Sequence, residues 1–232
     1  MQYDASQVGS TNVPISTSAS GALPWVNISQ ITAAANAPNV VVNGSACGSA
    51  CHLITEAEYL TIAQNVLSVP GNWSGAAVGS GSIPRGNSNS SAAMDSTTDL
   101  TGINKRTLTL TNGQVIWDIA GNVWEWTSGT STTGQPGVAG NAYASWIEWP
   151  NVTTPGTLSP NVFPSGTGIT GSSAWTSTQG IGQLISNPAE ASLHGFLRGG
   201  AWYDGGSAGV LTLNLGNSPS GADPSVGFRV SR

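Results

Sequence analysis

Charge is the scarcest property of this sequence. Only 7% of its 232 residues are charged, and just six are Lys or Arg, against roughly 25% charged residues in an average domain. With a formal net charge of −5 there is no clustered positive surface, which excludes nucleic acid as a partner. Long apolar runs are missing as well. None approaches the ~20 residues of a membrane-spanning helix. The opening Met1-Gln2-Tyr3-Asp4 has neither the basic nor the apolar region of a signal peptide. No internal repeat, linker or charge run marks a boundary, so residues 1–232 read as one domain with room for a sizeable core.

Cysteine and histidine are equally sparse, at two each. Cys47 and Cys51 are close enough in sequence for a disulfide in an oxidising compartment. A metal site has only His52 beside them, and two free thiols in a loop is the plain alternative. His52 and His194 have no recognisably poised nucleophile nearby, so a Ser–His–Asp arrangement finds no support. Gly79-Ser80-Gly81 lacks the lysine and the strand–helix context of a phosphate loop.

What the sequence does have is 31 glycines, nine tryptophans and abundant Ser, Thr and Asn. That composition favours strands, turns and ordered loops over long helices. Residues 1–27 read as an opening strand and loop anchored by Tyr3 and Trp25. Ser29 caps a short helix running to Ala35. Asn36 to Cys51 is loop around one apolar run, Val40-Val41-Val42. Thr55-Glu56-Ala57-Glu58 is a capping box. Tyr59, Leu60, Ala63, Val66 and Leu67 follow at helical spacing until Pro70-Gly71 ends the helix. Leu108 and Leu110, then Asn112-Gly113, then Val115 to Ile119, predict a hairpin. Thr127 to Ser192 is Ser/Thr/Gly/Pro-rich, with Trp146, Ile147 and Trp149 as islands. A loop this long is either functional or an insertion.

The stretch 197–229 is organised differently. Leu197-Arg198-Gly199-Gly200-Ala201-Trp202 ends on a large aromatic. Leu211, Leu213 and Leu215 then alternate with Thr212, Asn214 and Gly216, the period of a half-buried strand. Val226-Gly227-Phe228-Arg229-Val230 alternates again. Between these apolar points sit Tyr203, Asp204, Gly206, Ser207, Asn217, Gly221, Asp223 and Ser225. The pattern predicts a rigid frame that presents adaptable polar groups and one tyrosine to a partner. Upstream, Asp118 and Glu125 stand among aromatic residues. A buried carboxylate needs a hydrogen-bond network or a cation. For Glu125 the alternatives are backbone amides or a structural calcium ion held together with Gly121 and Val123.

Several motifs, in order along nearly the whole chain, resemble the formylglycine-generating, sulfatase-modifying superfamily. Trp117 to Trp126 is similar to its AGNVWEW block, Leu197 to Trp202 to its RGGSW, and Val226 to Arg229 to its closing GFR. His52 to Tyr59 resembles its TEAEW helix start, and Met1 to Asp4 its opening. The resemblance implies an α+β, C-type-lectin-type fold: a small twisted antiparallel sheet, two helices and extensive ordered loops. It also implies that Met1 is a domain boundary. The oxidases of that superfamily hold copper through two cysteines placed shortly after the paired glycines. The corresponding residues here are Asp204 and Gly209. Copper(I) requires soft ligands, so a copper-dependent oxidase is the lesser alternative, and two scattered histidines do not suit histidine-bound iron. A calcium-dependent sugar-binding lectin is a third reading, but no Glu-Pro-Asn or Gln-Pro-Asp motif is present.

The narrower resemblance is to the variable proteins of diversity-generating retroelements, whose C-terminal segment ends in GFR and is rewritten at adenines. Asparagine codons altered at adenine reach Tyr, Asp, Ser and Gly. Residues 203, 204, 207, 214, 216, 217, 221, 223 and 225 all belong to that set. The resemblance implies a non-catalytic, surface-displayed binder of a protein or glycan. Trp202, Tyr203, Asp204, Gly206, Ser207, Asn214, Gly216, Asn217, Gly221, Asp223 and Ser225 would form the contact surface. Such a mixture of tyrosine with small polar residues suits adaptable recognition.

Overall fold

Helices form where the sequence supplies caps. α1 (Gln30–Asn36) follows Ser29, whose hydroxyl accepts from the Thr32 N–H at 3.1 Å. α2 (Glu56–Leu67) opens on the expected capping box: Thr55 accepts from the Glu58 N–H, and Glu58 accepts from Thr55. The computed structural model describes residues 1–7, 12–15, 22–42, 45–131, 135, 145–152, 174–187 and 191–232. Much of the stretch between Thr127 and Ser192, and the side chain of Val42, lie outside the described residues.

Among the described residues the architecture is α+β, with these two α-helices and several small sheets. β1 (Ser6–Gln7) pairs with β2 (Pro14–Ile15), and β3 (Val41–Val42) with β4 (Ser45–Ala46). Cys47 and Cys51 form a disulfide after β4. β5 (His52–Leu53) leads into α2. β6 (Thr107–Thr109) and β7 (Val115–Trp117) form the expected hairpin. Its loop is a three-residue one: the Gly113 N–H donates to Leu110 O, and only Gly113, at φ +83°, is left-handed.

The principal sheet contains β8 (Trp124–Ser131), β9 (Leu184–Ile185), β10 (His194–Arg198), β11 (Leu213–Asn217) and β12 (Val226–Phe228). Their order is β12-β8-β10-β11-β9, and β13 (Val230–Ser231) leaves to pair with β5. The antiparallel expectation is corrected here. β10 runs antiparallel to β8 and β11, but β12 is parallel to β8 and β9 is parallel to β11. Parallel neighbours require long crossovers, which local turn signals do not mark.

Alternation divides this sheet between two cores. Phe196, Leu211, Leu213 and Leu215 pack with Tyr59, Leu60, Ala63 and Val66 of α2. Trp124, Trp126, Leu197, Val226 and Phe228 pack with Ile28 and Ala33 on the α1 side. The pairing slips between Gly195 and Leu197 on both sides of β10. Such bulges leave ladder groups unpaired. The side chain of Gln30 takes two of them, donating to Thr127 O at 2.6 Å and Gly129 O at 2.7 Å.

Three arginines lie wholly inside, each locked to carboxylate. Arg198 donates to Glu56 at 2.5 and 3.0 Å and to Leu211 O, while the Thr127 hydroxyl donates to the other oxygen of Glu56. Arg229 donates to Glu125 at 2.6 and 3.0 Å, to Asp4 at 2.7 Å and to the carbonyls of Met1 and Trp117. Arg106 holds Asp118 through two hydrogen bonds of 2.7 and 2.8 Å and donates to the carbonyls of Met94, Asp95 and Thr98. Two acids share Arg229, and burial together with the neighbouring Glu125 pushes the pKa of Asp4 well above the carboxylate range.

Glu56→Gln takes away the carboxylate that Arg198 holds through two of its nitrogens. It is expected to cost about 3–5 kcal/mol of unfolding free energy in urea titrations. Val115→Thr, at an exposed strand position, is expected to cost under about 0.5 kcal/mol. Equal costs would contradict this assignment.

Candidate functional site

The site begins where β10 ends. Gly199 and Gly200, at φ +86° and +90°, turn the chain sharply out of the sheet, and a Cβ on Gly200 would meet Ala208 at 2.8 Å. This turn is seated on the Ala120-Gly121-Asn122 segment: the Gly121 N–H donates to Gly199 O, and the Trp202 N–H to Asn122 O. Asn122 is fully buried, accepting from Met94 N–H and Asn87 and donating to Met94 O. The motif residues therefore build the platform for the loop and do not stand on its surface.

Tyr203 projects from this platform, 56% exposed, with its ring perpendicular to Trp202 at 5.5 Å. Its hydroxyl donates to Ser225 Oγ at 2.9 Å, and Ser225 Oγ donates to Asp223 at 2.6 Å. The two ends of the candidate segment are thus tied together. The connection from β11 to β12 must cross β10 and β8, and it does so on the α1 face. Ile31 N–H donates to Pro219 O, and Asn27 N–H to Asp223 O. Asn214, opposite Leu197 and Ile185 in the register, points to that same face.

Tyr203, Gly206, Gly221 and Asp223 are exposed. Trp202, Asp204, Ser207, Asn214, Gly216 and Asn217 are half-buried. Two expectations are corrected. Ser225 is buried, because it sits against the start of β12, with its oxygen held between Tyr203 and Asp223. Thr212, expected on the outward phase, is fully buried, with its hydroxyl donating to Ser207 O. Several half-buried residues are also committed internally. Asn214 accepts from Gly216 N–H, and Ser207 donates to Gln183, which donates in turn to Glu148. Among the described residues no hydrogen bond joins Asn214 or Gly216 to the Tyr203 cluster.

The residues do not fit calcium at Glu125. Both of its oxygens accept from Arg229, so a guanidinium already supplies the cation. Val123 is a core side chain and Gly121 a left-handed turn beneath Gly199. Asp204 and Gly209, the positions that the sequence resemblance sets against copper-binding cysteines, are also unsuited to such ligands. Asp204 accepts from Ala201 N–H at 2.6 Å. Gly209 has the Gly182 nitrogen 2.3 Å from where a Cβ would lie, so no side chain fits there without backbone movement. The sole cysteines are bonded to each other.

The segment from Arg85 to Ser90, made of Gly, Asn and Ser after its arginine, lies under this surface. Gly205 N–H donates to Ser88 O, and Ser90 N–H to Trp202 O. No periodicity marks such a support. Its one legible signal is Arg85, a rare cation in a chain with six.

Burial pushes the Asp204 carboxyl up to about 6 from 3.8, with the Ala201 N–H pulling the other way. The folded chain then holds this proton more tightly than the unfolded one, so stability falls as pH rises from 3.8 to about 6. Asp204→Asn keeps an acceptor for Ala201 and does not titrate. It is expected to flatten calorimetric stability across that range and to raise Tm at pH 7; an unchanged profile would contradict this. No protein-family model matches the chain, and no curated protein matches it.

Proposed function

We propose that the chain is a non-catalytic binding protein with a C-type-lectin-type scaffold, akin to the variable proteins of diversity-generating retroelements. Its partner is a protein or glycan on another cell or on a phage host, met in an oxidising, extracellular setting. The disulfide suits that setting. One observation carries the reading: the leucines at 211, 213 and 215 are at 0% exposure, while the small polar residues interleaved and looped around them, Thr212 and Ser225 apart, are half-buried or exposed. Tyr203 gives broad contact area with few torsions to freeze, and glycine, serine and asparagine around it adapt to different partners. Replacement on that rim leaves the apolar frame intact, so each change costs little stability.

The competing oxidase reading lacks its thiolates, and at Gly209 it lacks room for one. Sequencing many copies of the gene from one population tests the display reading. Substitutions are expected to concentrate at residues 203, 206, 207, 214, 216, 217, 221 and 223, at adenine positions. They should spare Trp202, Leu211, Leu213, Leu215 and Phe228, and be restricted to small residues at the buried Ser225. Variation spread evenly along the gene would end this reading.

A further inference from the structure

Arg85 differs from the other interior arginines. Arg106, Arg198 and Arg229 each donate to a carboxylate and to backbone carbonyls. Arg85 is half-buried, and among the described residues no acid lies within ion-pair distance of it. Its Nε is enclosed with no hydrogen-bond acceptor. A guanidinium carries five donors in a fixed planar fork; the Nε of Arg85 is enclosed without an acceptor, and no carboxylate among the described residues pairs with the group.

Its position gives that vacancy a use. The Arg85 Nη1 lies 3.1 Å from the point where a Cβ on Gly206 would stand. Gly206 is exposed, and its φ is not left-handed, so the backbone there can carry a side chain once Arg85 Nη1 gives way by a few tenths of an ångström. Any side chain at 206 would therefore lie directly on the Arg85 guanidinium. Asp would place a carboxylate on it, whereas Asn or Ser would place a neutral group. The loop is held on either side of residue 206, because the Gly205 N–H donates to Ser88 O and the Ser207 N–H to Asp204 O.

We propose that Arg85 is a fixed anion anchor in the contact surface, and that the residue at 206 sets whether it is available: with glycine there, the surface takes a partner carrying a carboxylate group. A planar carboxylate matches the guanidinium fork bidentately. A swappable residue beside a constant cation converts one codon change into acceptance or refusal of acidic partners, because an Asp at 206 would both quench Arg85 and repel an incoming carboxylate. This inference rests on the display reading for the claim that residue 206 varies.

The test uses the intact chain with isotopically labelled arginine, titrated with sodium acetate against sodium chloride at constant ionic strength. Arg85→Gln assigns the Arg85 side-chain resonances, and its unchanged Tm would show that the fold does not need them. In the original chain the Arg85 signals are expected to shift saturably with acetate, while those of Arg106, Arg198 and Arg229 do not move. In Gly206→Asp the Arg85 signals should start displaced, with the acetate response weakened at least tenfold. Gly206→Asn, which covers the guanidinium with a neutral group, should respond more weakly than the original and more strongly than Gly206→Asp. An Arg85 that ignores acetate, or a Gly206→Asp chain that responds fully, would overturn the proposal. A response to sodium sulfate and not to acetate would overturn the carboxylate assignment. Neither outcome bears on variation in the gene population, and an invariant population would leave anion binding at Arg85 intact.

Discussion

The fold depends on three guanidinium–carboxylate pairs sealed inside it. A chain with only 7% charged residues places half of its six cations where solvent cannot reach them. Isolated, each would be prohibitively costly in a low-dielectric interior. Paired and further bonded to carbonyls, they act as rivets between distant segments. Arg198 joins β10 to the first residue of α2 across 142 residues, and Arg229 joins the last strands to β8 and to Asp4. A buried pair need not be more stabilising than an apolar substitute. What it supplies here is a fixed registration between segments far apart in sequence, added to the two apolar cores.

That registration lets the loop surface be irregular. The Gly199-Gly200 turn, the Asn122 cradle and the segment from Arg85 to Ser90 hold the backbone of residues 201–207 through main-chain bonds and buried asparagines. None of these supports uses the exposed side chain of Tyr203 or any atom of Gly206. Asp204 and Ser225 are different. Each is both a surface-segment residue and an internal strut, so the boundary between frame and rim runs through the segment and not around it.

Much of this was legible in the sequence, and the remainder was hidden for identifiable reasons. The capping box at Thr55, the helix stop before Pro70 and the alternation of Leu213, Asn214 and Leu215 are local patterns that form as read, whereas Leu211 and Thr212 lie in the turn before the strand. The hairpin was legible, but its turn type was not: Asn112 stays right-handed and Gly113 alone takes the strain. Motif residues such as Glu125 and Arg229 stood out, yet their mutual partnership spans 104 residues and no local pattern links them. The parallel edge strands and the burial of Thr212 and Ser225 follow from crossovers and from packing against Gly182 and Tyr203, which periodicity does not encode. Arg85 stands in no periodic pattern, and its setting, with no acid in ion-pair distance among the described residues, shows only in three dimensions.

The central claim is that the internal frame alone sets stability, leaving the rim free to change. A pooled library randomised at 203, 206, 217, 221 and 223, sorted by resistance to proteolysis across a temperature ramp, measures this directly. The account predicts that most members melt within a few degrees of the parent, whatever they carry at those five positions. A library in which most members lose protection at ambient temperature would contradict it.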